Sequence, residues 1–244
     1  MKDYNLGKME AYPASAQVWT FKKAEDIVNG INLRLSNMAG GFPFEFNGIT
    51  FKDSERLYLC GEWSNNTDEH LAVQEKLMKA KSGFAAKQFV KSSNKKTIRE
   101  DFPSFRLQWM IFCVWQKCKK NEDFRKLLLS IPKDVILVEN TNGDNWESAK
   151  IWGCKNQILG DKRDSLGKEL EAKHKGMMKI KDLELLINVE TNKINDIGVW
   201  EGQNCIGKIL MLCRDCIVEG TEPIIDYDLL NRSKIYLFSK LLEF

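Results

Sequence analysis

Phe42-Pro-Phe-Glu-Phe-Asn-Gly-Ile-Thr-Phe-Lys-Asp-Ser-Glu-Arg-Leu-Tyr-Leu-Cys-Gly-Glu-Trp63 contains the clearest structural signals in the chain. From Phe44 to Phe51, apolar residues alternate on each side of Asn47-Gly48. That dipeptide is favoured in type I′ turns, so a tight β-hairpin is expected. Asp53 or Ser54 then suits a helix N-cap, with the helix running through Leu57 and Tyr58 towards Trp63. Glu55 falls in its first turn, among side chains that read as core. A carboxylate there has two readings. It is either a charge that favours a helix N-terminus, a common surface device, or a group placed for chemistry.

Further helices are expected downstream at His70–Lys79 and Phe84–Lys91. Pro103 suits the first position of a helix. The run Phe105-Arg-Leu-Gln-Trp-Met-Ile-Phe-Cys-Val-Trp115 that follows is apolar almost all round, as a central buried helix would be. Trp109, Trp115 and Trp146 read as core. Asn121 suits the cap of the next helix, through Leu129; Val135–Val138 reads as a buried strand and Lys150-Ile-Trp152 as another. Asn204 suits the cap of a last strong helix, Cys205–Val218, closed by Gly220. The amphipathic tail from Pro223 is expected to pack back on the domain, and Ala24–Asn29 suits a short helix. The sum is an α+β fold: a single domain over 1–244, predominantly helical, with a short hairpin and a small sheet. It carries a Lys/Glu/Asp-rich insertion at about 154–198 and a C-terminal extension at about 219–244.

A chain of 244 residues with 43% hydrophobic and 29% charged residues suits one large globular domain. The net charge of +3 permits a polyanionic partner without requiring one. No apolar run is long enough to span a membrane, and Met1–Gly7 lacks the apolar core of a signal peptide. Seven cysteines at irregular spacings fit a reducing compartment, so a cytoplasmic location is expected.

Glycine-rich phosphate loops and the G-x-S-x-G elbow are absent. The two histidines, His70 and His174, sit in charged surroundings that do not suit a triad or a multi-histidine metal site. Cys213/Cys216 and Cys113/Cys118 fall inside expected helices and read as buried thiols, so no metal and no cofactor is expected. Glu55 and Glu62 are seven apart, which on one helix places them about 10.5 Å apart along the axis. That is too long for a retaining glycosidase pair and slightly long for an inverting one. One carboxylate is therefore expected to act, with the other supporting or binding. Ser36 and Asn37 suit hydrogen bonds to a sugar, and Trp152, before Gly153, suits stacking on a ring. Gly202 and Asn204 precede a helix whose free amides suit a pyrophosphate or carboxylate. Gly207 in its first turn lets a ligand or a neighbouring backbone approach closely. A capped helix with a glycine packing contact is the plainer reading of that cluster.

Taken in order, these segments resemble the NADAR (NAD- and ADP-ribose-associated, or YbiA-like) family. Leu35-Ser-Asn-Met is similar to its F-S-N-F, and Thr50-Phe-Lys-Asp-Ser-Glu-Arg-Leu-Tyr to its T-[YW]-P-[ST]-[SV]-E-H-Y-F. Ser82-Gly-Phe-Ala-Ala-Lys is similar to S-P-x-x-A-[AK], and Asp101–Met110 to [DN]-W-x-x-V-K-x-x-V-M. Phe124–Leu129 matches L-R-x-L-L-L, Trp152-Gly153 matches W-G, and Gly202–Arg214 follows G-x-N-x-L-G-x-x-L-M-x-x-R. The resemblance covers about 32–216 apart from the insertion. It implies hydrolysis of an N-glycosidic bond, with Glu55 as the essential carboxylate at the sugar carbon. Ser36, Asn37, Arg56, Glu62, Trp152, Gly153, Gly202, Asn204 and Gly207 would bind the substrate. The implied substrate is ADP-ribosylated guanine in nucleic acid or a nucleotide, in functional pairing with an ADP-ribosyltransferase toxin. The alternatives are a riboflavin-pathway intermediate as substrate, or a non-catalytic sensor of ADP-ribose or NAD. Arg56 stands where the family has histidine, Glu62 near its lysine, Phe102 at a common tryptophan and Ala149 at its aspartate. These departures bear on the substrate and leave the glutamate in place.

Overall fold

The computed structural model describes residues 4–15, 17–22, 26–93, 97–145 and 147–244. Along the chain, β1 (Glu10–Pro13), β2 (Val18–Phe21), β3 (Ile27–Val28), β4 (Ile31–Asn32), β5 (Phe44–Phe46) and β6 (Ile49–Phe51) come first. There follow α1 (Ser54–Glu62), α2 (Asp68–Lys79), α3 (Gly83–Ser93), α4 (Phe102–Lys120), α5 (Glu122–Leu129) and β7 (Ile136–Glu139). Next come α6 (Ala149–Trp152), α7 (Gln157–His174), α8 (Ile180–Asn192) and β8 (Val199–Gly202). The last elements are α9 (Cys205–Glu219), α10 (Tyr227–Arg232), β9 (Tyr236–Leu237) and β10 (Lys240–Leu241). The fold is α+β and mainly helical, as expected. The chain divides into two compact units, Met1–Tyr4 with Lys23–Lys133 and Ile209–Phe244, and Asn5–Lys22 with Asp134–Lys208.

In the first unit the expected hairpin forms with Phe44 opposite Phe51 and Phe46 opposite Ile49. Asn47 and Gly48 both take positive φ, 52° and 74°, as a type I′ turn requires. The chain leaves β6 straight into α1, where Asp53 is extended and its carboxylate accepts from the Arg56 amide. Buried α4 runs across α1, and the Trp109 indole donates to the Tyr58 carbonyl at 3.1 Å. This approach depends on Gly61, where a Cβ would lie 2.1 Å from Trp109 Nε1. The tail packs back as expected, burying Leu230, Ile235, Leu237 and Leu242. Buried Gln74 ties it to α1, donating to the carbonyls of Cys60, Trp63 and Tyr236 and accepting from the Phe238 amide at 2.7 Å.

Two expectations fare differently. Of the helix expected over Ala24–Asn29, residues 24 and 25 lie outside the described set, and Ile27–Val28 is a strand. Asn29 (φ 50°) and Gly30 (φ 78°) make a left-handed pair that folds β3 back on β4, which a helix does not allow. Trp146, expected in the core, also lies outside the described residues.

In the second unit, β2 pairs with β7 in parallel and β1 with β8 antiparallel. Single bridges, Asn140 to Cys154 and Lys155 to Glu201, continue the pairing between them. Val138, Cys154, Leu159 and Trp200 form its buried cluster. The strand expected at Lys150-Ile-Trp152 is instead one helical turn, α6. The amides of Ile151 and Trp152 both reach the Ser148 carbonyl at 3.1 Å, and extended pairing starts only at Cys154, whose amide donates to Glu139. The charged segment expected as an insertion forms a helical hairpin, α7 packed on α8.

Replacing Gly61 with alanine is expected to push α1 off Trp109 and lower stability by about 2 kcal/mol, as overpacking does. Urea unfolding measures this, and a midpoint equal to that of the wild type would show that the two helices are not in the contact described.

Candidate active site

The first turn of α1 is fastened to the loop before the hairpin. The Glu55 amide donates to the Asn37 carbonyl at 3.1 Å, and the Ser54 hydroxyl donates to Asn37 Oδ1 at 3.0 Å. Asn37 Nδ2 in turn points at the Met110 sulfur on α4, 2.9 Å away. Ser36 Oγ accepts from the Met38 amide at 3.3 Å, closing the loop's own turn. Ser36 and Asn37 are buried. Of the two residues expected to face a sugar, Asn37 is therefore joined by backbone and side chain to the helix that carries the candidate carboxylate, and Ser36 is held in the same loop.

Glu55 is only 4% exposed. Its partner is Lys87 of α3, with Nζ 3.2 Å from Oε1. A carboxylate buried to this degree needs a countercharge or hydrogen bonds to offset its desolvation. Here a half-buried lysine supplies one, and the dipoles of the first helical turn favour the same negative charge. Tyr58 and Glu62 share the face. Glu62, also carried by α1, is half-buried. Burial first, then the charges of Glu62 and Glu55, push the Tyr58 phenol well above its ordinary range, with Arg106 of α4 pulling the other way. Lys87, Tyr58 and Arg106 were not among the expected site residues. The helical spacing of Tyr58, three after Glu55 and four before Glu62, was a signal in the sequence for it, and Lys87 and Arg106 fall inside the family-like segments Ser82–Lys87 and Asp101–Met110.

Arg56, expected to touch substrate, is 1% exposed and has structural partners. Its guanidinium pairs with the Asp53 carboxylate and donates to the carbonyls of Leu77 (3.2 Å) and Ala80 (2.7 Å), pinning the end of α2 to the start of α1. Burial pushes Asp53 up, to about 6, against the pull of that guanidinium. Behind them, Lys117 of α4 is fully buried, and its ammonium has no hydrogen-bond partner among the described residues. It lies 3.9 Å from the centre of the Phe124 ring. Burial pulls it down from the usual lysine value to about 8, with Cys118, Asp53 and Glu55 acting the other way.

The other expected residues lie in the second unit and are packed among themselves. Trp152, half-buried, ends α6. A Cβ on Gly153 would meet the Glu139 carbonyl at 2.3 Å, and one on Gly202 would meet the Gly153 carbonyl at 2.2 Å. Asn204, buried with φ 54°, turns its amide onto β7, accepting from the Glu139 amide at 3.1 Å and donating to the Leu137 carbonyl at 2.8 Å. A Cβ on Gly207 would collide with the same Leu137 carbonyl at 2.2 Å. It is a neighbouring backbone, of the two partners expected for Gly207, that comes close. Asn204 and Gly207 seat the start of α9 on a strand.

Because Lys117 titrates near 8 when folded and near 10.5 when unfolded, its unfavourable contribution to stability is complete below 8 and fades as the pH rises to 10.5. Lys117→Met is expected to be more stable than the wild type by about 3 kcal/mol at pH 7, with the gap closing towards pH 10. Paired denaturation curves at the two pH values test this. A variant less stable at pH 7 would show that the ammonium is stabilised where it lies.

No protein-family model matches the chain, and no curated protein matches its sequence. Among solved structures it is similar to the NMR structure of the E. coli protein YbiA, with a TM-score of 0.50 and 20% identity. The likeness covers 86% of this chain and 89% of that one. The chain has a YbiA-like fold.

Proposed function

We propose that the protein is an N-glycosidase that removes ADP-ribose from modified guanine in DNA or a nucleotide, reversing the action of an ADP-ribosyltransferase toxin. The observation that carries this reading is Glu55, a buried carboxylate on the first turn of a helix, fastened to the Ser36–Asn37 loop and countered by Lys87. As the bond between ribose C1 and the guanine nitrogen breaks, positive charge builds on the sugar, and a fixed carboxylate beside it stabilises that charge. The same carboxylate orients the water that adds to C1 and takes its proton, which passes on to the departing guanine nitrogen, so that water supplies hydroxide to the sugar and hydrogen to the base. Glu62 and Tyr58 share the helix face with Glu55 and would bind the sugar or its base. The sequence resemblance and the YbiA-like fold support the reaction class.

Arg56 bears on the rival reading of a non-catalytic sensor. Its departure from the family's histidine supplies a structural staple, so the substitution is no argument for lost turnover. A riboflavin-pathway intermediate remains the comparison substrate for the assay.

Glu55→Gln is expected to lower release of ADP-ribose from an ADP-ribosylated oligonucleotide on the order of 10³-fold with binding retained. Mass spectrometry of the released sugar reads it out. Equal turnover by wild type and variant refutes the assignment, and turnover of the riboflavin intermediate alone refutes the substrate. Lys87→Met is expected to lower kcat about tenfold, roughly 1.4 kcal/mol, and Lys87→Arg to restore most of it. An unchanged kcat in Lys87→Met would exclude Lys87 as a positioning residue.

A further inference from the structure

A cavity of about 320 Å³ opens in the first unit where the chain enters α1 and α3, lined by Lys52, Asp53, Arg56, Lys81, Ser82 and Gly41 among others. Its size falls within the range of small-ligand sites. Asp53 and Arg56 neutralise one another, so the charge of the cavity is set by the two lysines. Lys52 and Lys81 are exposed, and neither has a hydrogen bond or ion pair among the described residues. Arg34 adds a third positive charge at the edge, lying against Gly41 and donating to the Gly40 carbonyl. The Ser82 hydroxyl accepts from the Ala85 amide at 3.1 Å and keeps its own proton to donate. Close packing holds the wall, since a Cβ on Gly83 would lie 2.8 Å from the Met38 backbone. Phe84, the next residue, is 57% exposed, the one aromatic side chain among the exposed large hydrophobics of the described residues.

We infer that this cavity is an anion subsite that takes the phosphate or diphosphate group of the substrate whose sugar meets Glu55. Unpaired cations around a concave wall, with a hydroxyl donor and an exposed ring beside it, suit a phosphate ester attached to a flat base. The cavity and the site share their elements: Asp53 and Arg56 line the cavity from the start of the helix that carries Glu55, and Ser82 and Gly83 line it from the start of α3, which carries Lys87 to the Glu55 carboxylate. The amide of Asn204, at the start of α9 where phosphate was expected from the sequence, is already bonded to β7. Assigning the phosphate to the substrate rests on the proposed N-glycosidase activity; the affinity of the cavity for anions does not.

The test is titration of the full chain with pyrophosphate and with ADP-ribose, followed by amide NMR shifts and calorimetry. Wild type, Glu55→Gln and the double variant Lys52→Gln/Lys81→Gln are compared. Both lysines are exposed, so the double variant is expected to fold, and circular dichroism checks that it does. The expected result is movement of the amides of residues 38–42 and 81–85 by both ligands, with affinity for pyrophosphate at least tenfold weaker in the double variant and within about twofold of the wild type in Glu55→Gln, since pyrophosphate carries no sugar to meet residue 55. Amides that stay still in those segments, or equal affinity in the double variant, overturn the inference. Pyrophosphate bound there with no turnover of any N-glycoside would uphold the subsite while removing the proposed reaction.

Discussion

The bond from the Glu55 amide to the Asn37 carbonyl is the constraint on which the candidate site depends. A helix leaves its first amides without partners, and a buried helix start must find acceptors elsewhere. Here Asp53 takes one amide and the loop carbonyl of Asn37 takes another, while the Ser54 hydroxyl holds the Asn37 side chain. The loop is thereby fixed against the helix, and the Glu55 carboxylate is carried into a nearly closed environment with Lys87 as its countercharge. Arg56 fastens the other side of the same turn to the end of α2. Local requirements of helix capping thus give the carboxylate its rigidity, and rigidity is what stabilising charge at a sugar carbon requires.

Much of this was legible in the sequence because it is written in short-range signals. Asn47-Gly48 specified the hairpin, Asp53-Ser54 narrowed the cap to two residues, of which Asp53 takes the role, and the apolar run at Phe105–Trp115 marked the central helix. Lys87 and Lys117 were harder. Their importance comes from what α3 and α4 place beside α1, and spacing along the chain does not encode that. Arg56 was misleading for the opposite reason. Beside a candidate catalytic residue an arginine reads as a ligand contact, and only its partners, Asp53, Leu77 and Ala80, reveal a staple.

The second unit repeats the lesson with glycines and asparagine. Gly202-Gln-Asn-Cys-Ile-Gly207 admits an anion-binding helix start as well as tight packing, the plainer reading, since both need small residues and an amide side chain. Backbone carbonyls at 2.2 Å from the missing Cβ atoms of Gly202 and Gly207 account for the glycines by packing. Asn204 supplies in one side chain a donor and an acceptor for the backbone of β7. Lys150–Trp152 was read as a strand because three residues carry no usable period; the turn follows from the backbone bonds to Ser148.

The central claim is that residue 55 faces the sugar carbon whose bond is broken. A crystal structure of the Glu55→Gln protein with ADP-ribose bound tests it most directly. The account predicts ribose C1 within about 3.5 Å of the residue 55 carboxamide, the reach of reacting groups. A ligand bound with its ribose remote from α1, or with residue 55 still enclosed against Lys87 and out of contact with it, would contradict it.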